Sequence, residues 1–434
     1  MRSRLFRRRS ATVAWIYVAV VFGIVGTIVA ARVLGLEDFG VFATALAAVG
    51  FFQVLLDLTV EESLTKYGFH YVAAGDWGRL RRLFRQTLLL KIAGGAFATV
   101  VLLALAPFAD RIFGSPGVGT ALLCAALLPL VQSSENVFAT AFLLHGRYDL
   151  RGAYQTGSTG LRLAAIALAA PLGVNQALAA IVVAQAISTA AITVLGIGAL
   201  RRFPAAASRE LGEDVPGIRS FVVQSSIATG VISFRTTLVP LLLGVVAGPT
   251  QVGLFRIAQT PQTGLAAASS PARLVLLTEQ TRDWERGEQS RVLAGVRGYT
   301  LGAGGMMLVA VPIFFFAMPW LVKVVFGSQY AGAVDAARIV LLAAAIQFVL
   351  GWTKSLPVTI GRPRLRIVTH GIEAVVAMTL VAALGAKWGA TGAAVAVLVS
   401  SIAFAASWAV VLARLRAEVA ARERERELRG ALQP

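Results

Sequence analysis

The residues of this chain best suited to chemistry are arginines set inside apolar stretches: Arg162 in "YQTGSTGLRLAAIALAA" and Arg256 in "GLFRIAQTPQTG". A guanidinium keeps its charge in any surroundings and presents a planar fork of N–H donors that matches phosphate oxygens. At 100° per residue, Arg256, Gln259, Thr260, Thr263 and Ser270 share one helix face, and Gln155, Ser158, Thr159 and Arg162 form a second stripe. Further stripes are Gly50, Gln53, Asp57 and Glu61; Gln132, Glu135 and Asn136; and Thr87, Lys91, Gly94 and Gly95. Such stripes serve either as glue between helices, with small residues packing closely and charges pairing, or as the wall of a hydrated cavity. Five of them exceed what glue requires and point to a cavity cationic enough to hold an anionic head group. Arg235 is more open: Ser226, Thr229, Ser233 and Thr237 lie on the far side of its helix, so it either lines the cavity or pairs with a neighbour.

The candidate substrate-binding residues are therefore Arg256, Arg162, Arg235, Lys91, Gln259, Thr263 and Gln155. Asp57, Glu135 and Glu373 are the candidates for proton or cation coupling. No catalytic set emerges. His70, His145 and His370 are scattered and offer no metal-ligand spacing, so neither a metal nor another cofactor is expected. The single cysteine, Cys124, excludes an internal disulfide and, inside "TALLCAALLPL", reads as a buried structural thiol.

The elements that must position these residues follow from composition. The chain has 434 residues, 57% hydrophobic and 14% charged, with mean hydropathy +0.74, which exceeds what a soluble core of this length needs. It reads as an all-α integral membrane protein. The net charge of +18 does not mark nucleic-acid binding, because the basic residues punctuate apolar runs instead of forming a patch on a soluble domain. Stretches long enough to cross a ~30 Å hydrocarbon core as helices fall at residues 11–33, 39–60, 83–107, 118–144, 156–172, 176–200, 218–247, 251–276, 298–321, 331–353, 366–386 and 389–413. The first begins after a basic "MRSRLFRRRS", but its apolar run exceeds the 7–15 residues of a cleavable signal. With twelve spans, only Arg32, at the end of the first span, and Arg111, Lys323 and Lys387 in loops fall on one side, and the loops of the other side carry the remaining loop cations. Lys and Arg in short loops stay cytoplasmic, which places both termini in the cytoplasm.

The chain also repeats itself. "LGLEDFGVF" at Leu34 returns as "LGVVAGPTQVGLF" at Leu243, aligning Gly40 with Gly253, and "IFGS" at Ile112 returns as "VFGS" at Val325. "HGR" at His145 aligns with "IGR" at Ile360, and "LG" at Leu172 with "LG" at Leu384. Ordered matches at near-constant spacing indicate two parallel six-helix repeats, because six spans return the chain to the side it entered. The expected organisation is an N-terminal lobe at 1–200, a polar cytoplasmic linker at 201–217, a C-terminal lobe at 218–413 and a charged cytoplasmic tail at 414–434. In the "LGLEDFGVF" corner, Gly35 and Gly40 permit a turn that Glu37 and Asp38 keep in water. Pro240, Pro261, Pro271 and Pro312 fall inside spans and are expected to bend them.

The stretch "RVLGLEDFGVFATALAAVGFFQVLLDLTVEESLTKYG", followed by "AAGDWGRLRRLF", resembles the start of bacterial polysaccharide-repeat-unit flippases, which belong to the multidrug/oligosaccharidyl-lipid/polysaccharide exporter superfamily. The resemblance implies two six-helix lobes around a central cavity in the bacterial cytoplasmic membrane, and transport of a polyprenyl-diphosphate-linked oligosaccharide between leaflets for surface polysaccharide biosynthesis. It implies a lipid-linked anionic oligosaccharide, membrane lipids and other polysaccharide-assembly membrane proteins as partners, and no enzymatic activity. The family has no universal signature that would assign residue roles. An alternative is a cation-coupled multidrug-type antiporter of the same superfamily, although spans 1 and 7 lack the acid such extruders typically carry there. A membrane-embedded enzyme is disfavoured by short outer loops without paired acids.

Overall fold

A computed structural model describes residues 2–56, 60–269, 280, 283–284, 286–362 and 364–431; within these, the side chains at 2–11, 55–56, 228–229, 231–232, 234–235, 358, 422–423 and 425–431 are not described. Asp57, Ser270 and Pro271 lie outside the described residues, as do the side chains of Thr229 and Arg235.

Apolar length without polar caps lets helices run on, and glycines and prolines decide where they stop. α1 (Arg2–Leu56) holds two spans in one helical run, broken only at Gly35, whose φ of 80° is open to glycine and costly for other residues. Gly40, by contrast, stays helical. A side chain there would place its Cβ 2.5 Å from the Pro249 carbonyl oxygen, so this glycine serves close packing and not the turn. α2 (Val60–Ala74) leads into α3 (Trp77–Phe113), which starts on an Asp76 cap accepting from the Arg79 amide and ends at a left-handed Gly114.

The fourth span is not one helix but three, α4 (Val118–Ala125), α5 (Leu128–Gln132) and α6 (Glu135–Leu144). Pro129 cannot donate to the preceding turn, and beside this break the Thr99 hydroxyl from α3 donates to the Ala126 carbonyl at 2.9 Å. Gly95 lets α3 approach this break, since a Cβ there would meet the Pro129 carbonyl oxygen at 2.7 Å. α7 (Tyr148–Ala169) and α8 (Val174–Leu200) follow, then α9 (Asp214–Ala247), α10 (Pro249–Ala258) and α11 (Thr260–Ala268). Pro261, in the first turn of α11, accounts for the break after α10. α12 (Gln289–Val325), α13 (Val334–Val349), the short α14 (Leu356–Thr359), α15 (Arg364–Leu380) and α16 (Ala386–Ala431) complete the chain, with α16 broken at Gly389.

Among the described residues, seven helical stretches are long and apolar enough to cross a membrane. Two of them, Thr12–Val54 and Arg364–Ala421, each contain two spans separated by a glycine break. With α7, α9 and the α10–α11 pair, these supply the twelve expected crossings of an all-α membrane protein.

The chain divides into two compact units, one of Met1–Ile257 with Lys323–Ala331, the other of Ala258–Val322 with Gly332–Pro434. In the first, α7 lies along α1, with Gly152 against Trp15, Gly160 against Phe22, and the Thr156 hydroxyl donating to the Trp15 carbonyl at 2.7 Å. The two copies of the sequence corner meet there: a Cβ on Gly253 would lie 3.1 Å from the Gly40 Cα. The 323–331 segment closes the same end. Arg32 donates to the Val325 carbonyl at 2.7 Å and also to that of Val324, and the Tyr330 hydroxyl donates to Ala31 at 2.6 Å. The 201–217 stretch is docked on the first unit. Phe203 stacks between Trp77 and His145, the Arg209 amide donates to the Gly78 carbonyl, and Asp214 accepts from Tyr71 at 2.8 Å and pairs with Arg79 at 3.3 Å. Burial, reinforced by the Asp214 carboxylate, pushes the Tyr71 hydroxyl's pKa up, so it stays a donor at any physiological pH. In the second unit, Val292, Val296, Leu356, Phe404 and the edge-to-face pair Trp352 and Trp408 form the core.

Candidate functional site

The first unit holds a cavity of about 300 Å³. Both arms of α1, together with α7, α8, α9 and α10, form its walls, and aromatic and aliphatic side chains such as Phe22, Phe42, Ile166 and Val252 line most of it. Into this apolar chamber project two arginines, Arg162 from α7 and Arg256 from α10, with the hydroxyls of Thr27, Thr159, Thr236 and Thr237. α7 begins at Tyr148, earlier than the expected 156, so Arg162 sits past the midpoint of its helix.

The two arginines are held differently. The Arg162 guanidinium donates from Nε to Gln185 Oε1 at 2.9 Å, and its Nη2 donates to the same oxygen and, more loosely, to Gln132 Oε1 at 3.5 Å. Gln185 in turn donates through Nε2 to Glu135 at 2.7 Å and to Thr189 at 2.9 Å, and Gln53 donates to Gln132 at 3.0 Å. A half-buried cation and a buried carboxylate, Glu135 being 5% exposed, are thus joined through one amide. Full desolvation of either alone would be costly, and this bridge offsets it while leaving part of the guanidinium on the cavity. Arg256 has no hydrogen bond or ion pair among the described residues. It is surrounded by protein, yet its side chain keeps an accessible face, and that face opens on the cavity. An unpaired charge in a low-dielectric chamber attracts a counter-charge strongly.

Other candidates lie elsewhere. Lys91 is 2% exposed, sits 2.6 Å from Glu61 and lines a separate crevice of about 20 Å³ with Gln53, Gln132 and Asn136, which is the pairing arrangement of a structural cation. Gln155 is exposed on α7, outside the cavity lining. Gln259 and Thr263 belong to the second unit, where the Thr263 hydroxyl caps back onto the Gln259 carbonyl. Glu373, 2% exposed, forms that unit's polar centre. Its carboxylate lies 3.0 Å from His370 Nδ1 and 3.5 Å from the Gln347 amide, which also reaches Ser401 at 3.0 Å and accepts from Gln262 at 3.0 Å. Gln185, Gln347 and His370 were not among the expected site residues. Gln185, Ser188 and Thr189 do form an i, i+3, i+4 stripe that the sequence displays, whereas Gln347 is isolated in "AAAIQFVL" and carries no such signal.

The model of the polysaccharide biosynthesis protein family matches residues 9–271, well over half the chain. The chain belongs to this family. Family membership covers the whole cavity-bearing part of the first unit up to α10, including both cavity arginines. Of curated proteins, the inner membrane protein YghQ of Escherichia coli (strain K12) is 34% identical over 128 residues, which amounts to 28% of this chain and 34% of that protein. The aligned stretch therefore spans about a third of that relative's length. Among solved structures, a multidrug resistance MATE family transporter of the MOP superfamily in an inward-facing conformation superposes with a TM-score of 0.73 over 92% of this chain and 95% of that one, at 13% identity. The lipid II flippase MurJ in an inward closed conformation gives 0.69 over 91% and 86%, at 11% identity. A MOP superfamily transporter from Pyrococcus furiosus gives 0.61 over 96% and 95%, at 12% identity. At these identities the likeness establishes the fold: this family member is a multi-pass membrane protein built as two-lobed MOP superfamily transporters are.

Proposed function

We propose that this protein is a flippase that carries a polyprenyl-diphosphate-linked oligosaccharide across the cytoplasmic membrane, binding the diphosphate between Arg162 and Arg256. The reading rests above all on one observation: two arginines far apart in sequence share one largely apolar cavity, and one of them has no partner among the described residues. Apolar walls suit the first isoprene units of a carrier lipid, the guanidinium forks suit phosphate oxygens, and the threonine hydroxyls suit the polar atoms beyond them. Membership in the polysaccharide biosynthesis family supports a sugar cargo. The fold supports alternating access with both termini in the cytoplasm, and neither feature supports catalysis. Among the acidic residues, we assign coupling to Glu373, which is buried against a histidine and so has a proton-exchanging partner at hand, rather than to Glu135, which is committed to Gln185.

The test is reconstitution of the full chain in proteoliposomes with a labelled polyprenyl-diphosphate oligosaccharide whose accessibility is scored on the two faces. Flipping by the wild type that Arg256→Ala and Arg162→Ala each abolish, at equal protein level, is the expected result. Unchanged flipping in both variants, or transport of a hydrophobic cation in place of the glycolipid, overturns it.

A further inference from the structure

A second cavity in the first unit, about 200 Å³, lies where helices meet the linker. The first turns of α3 contribute Trp77, Leu80, Arg81 and Phe84, at the i, i+3, i+4, i+7 spacing of one helix face. The end of α8 and the start of the linker contribute Leu200, Arg201 and Phe203. Its floor is apolar and aromatic, and its two charges are both arginines, Arg81 and Arg201, both exposed. Arg81 makes one bond, from Nη2 to the Pro204 carbonyl at 3.3 Å, and Arg201 makes none among the described residues, so most of their N–H groups are free. Past Arg85 on α3, and along α8 away from the linker, the exposed helix surfaces become apolar, as Val194 (69%) and Leu195 (58%) on α8 and Leu89 (58%) on α3 show. A soluble protein would not leave such residues bare, and here they face acyl chains. The cavity therefore sits at the level where hydrocarbon gives way to head groups, the depth favoured by a tryptophan such as Trp77.

We propose that this cavity binds one anionic phospholipid from the leaflet on the linker's side, its phosphate between Arg81 and Arg201 and an acyl chain running down the exposed α3 and α8 surfaces. A basic pocket between spans on the strongly cationic side of a membrane protein is complementary to anionic head groups. The apolar floor selects a lipid over free phosphate. The site is distinct from the 300 Å³ cavity and shares no residue with it. Phe203 joins the cavity to the linker, because it stacks on Trp77 at 5.3 Å and on His145 at 4.1 Å, and the linker leads to Asp214 and α9. A lipid held here braces the docked linker.

The full chain, purified in a neutral detergent, is titrated with phosphatidylglycerol or phosphatidylcholine, following bound lipid by native mass spectrometry and the thermal unfolding midpoint. The wild type is expected to retain one phosphatidylglycerol and to gain stability from it, and to do neither with phosphatidylcholine. The double variant Arg81→Gln/Arg201→Gln should bind phosphatidylglycerol about 30-fold more weakly, equivalent to about 2 kcal/mol at about 1 kcal/mol per arginine. Arg414→Gln/Arg416→Gln removes the same charge outside the cavity and should bind as the wild type does. Equal retention by the cavity variant, equal loss by the α16 variant, or equal binding of phosphatidylcholine overturns the proposal.

Discussion

Two polar centres at matching places in the repeat differ in the sign of their charge. In the first unit Gln132, at the end of α5, links Gln53 on α1 to Arg162 on α7. In the second, Gln347 on α13 links Gln262 on α11 to Glu373 on α15. Gln132 and Gln347 are separated by the same interval as His145 and Ile360, and each ties an early helix of its repeat to a charged residue on the fifth. A shared glutamine bridge has thus been kept while the residue it holds became a cation in one half and an acid in the other. The cation side opens on a chamber that also holds Arg256, and the acid side is closed around a histidine stacked on Phe404. The proposed division of labour follows this difference: anion binding is assigned to the first centre and coupling to the second.

The largest expected effect separates the two cavity arginines. Arg256→Ala removes a charge that has no partner among the described residues, so glycolipid affinity should fall about 30-fold or more, as is typical when one member of a desolvated charged contact is lost, with no change in thermal stability. Binding measured by surface quenching and stability by thermal unfolding check this, and a destabilised Arg256→Ala would mean that the charge has a structural partner. Gln185→Leu should cost about 1–3 kcal/mol, because it strands Arg162 and Glu135 without their bridge. Chemical denaturation measures it, and an unchanged midpoint would show that solvent replaces the amide. Glu373→Gln is milder for the fold, since an amide still reaches His370 and Gln347. Its predicted consequence is loss of the transport response to an imposed proton gradient, while Glu135→Gln keeps that response; the reverse pattern would assign coupling to the cationic half. Asp214→Asn should be smallest, below about 1 kcal/mol, because its pairing with Arg79 is half-exposed and screened.

Much of this was legible along the chain. Span count followed from apolar length, the duplicated corner followed from repeated glycines, and Arg162 and Arg256 stood out because a guanidinium inside a span needs a reason. Other features were not legible because they depend on which helices touch. Lys91 and Arg162 look alike in sequence, each a cation in a polar stripe, yet one is paired with Glu61 beside a separate small crevice and the other faces the cavity. Gly35 and Gly40 also look alike. The first bears the positive φ of a turn, and the second admits the backbone at Pro249.

Sequence by itself determined the class, the spans and the residues that carry charge into the membrane, because the cost of burying polar groups in hydrocarbon is paid locally, residue by residue. Tertiary structure alone decided which charges meet. Pairing depends on crossing points between helices distant in sequence, and neither periodicity nor composition encodes those distances. It joined Arg162 to Glu135 through Gln185, left Arg256 unpartnered among the described residues, and put both arginines on one chamber.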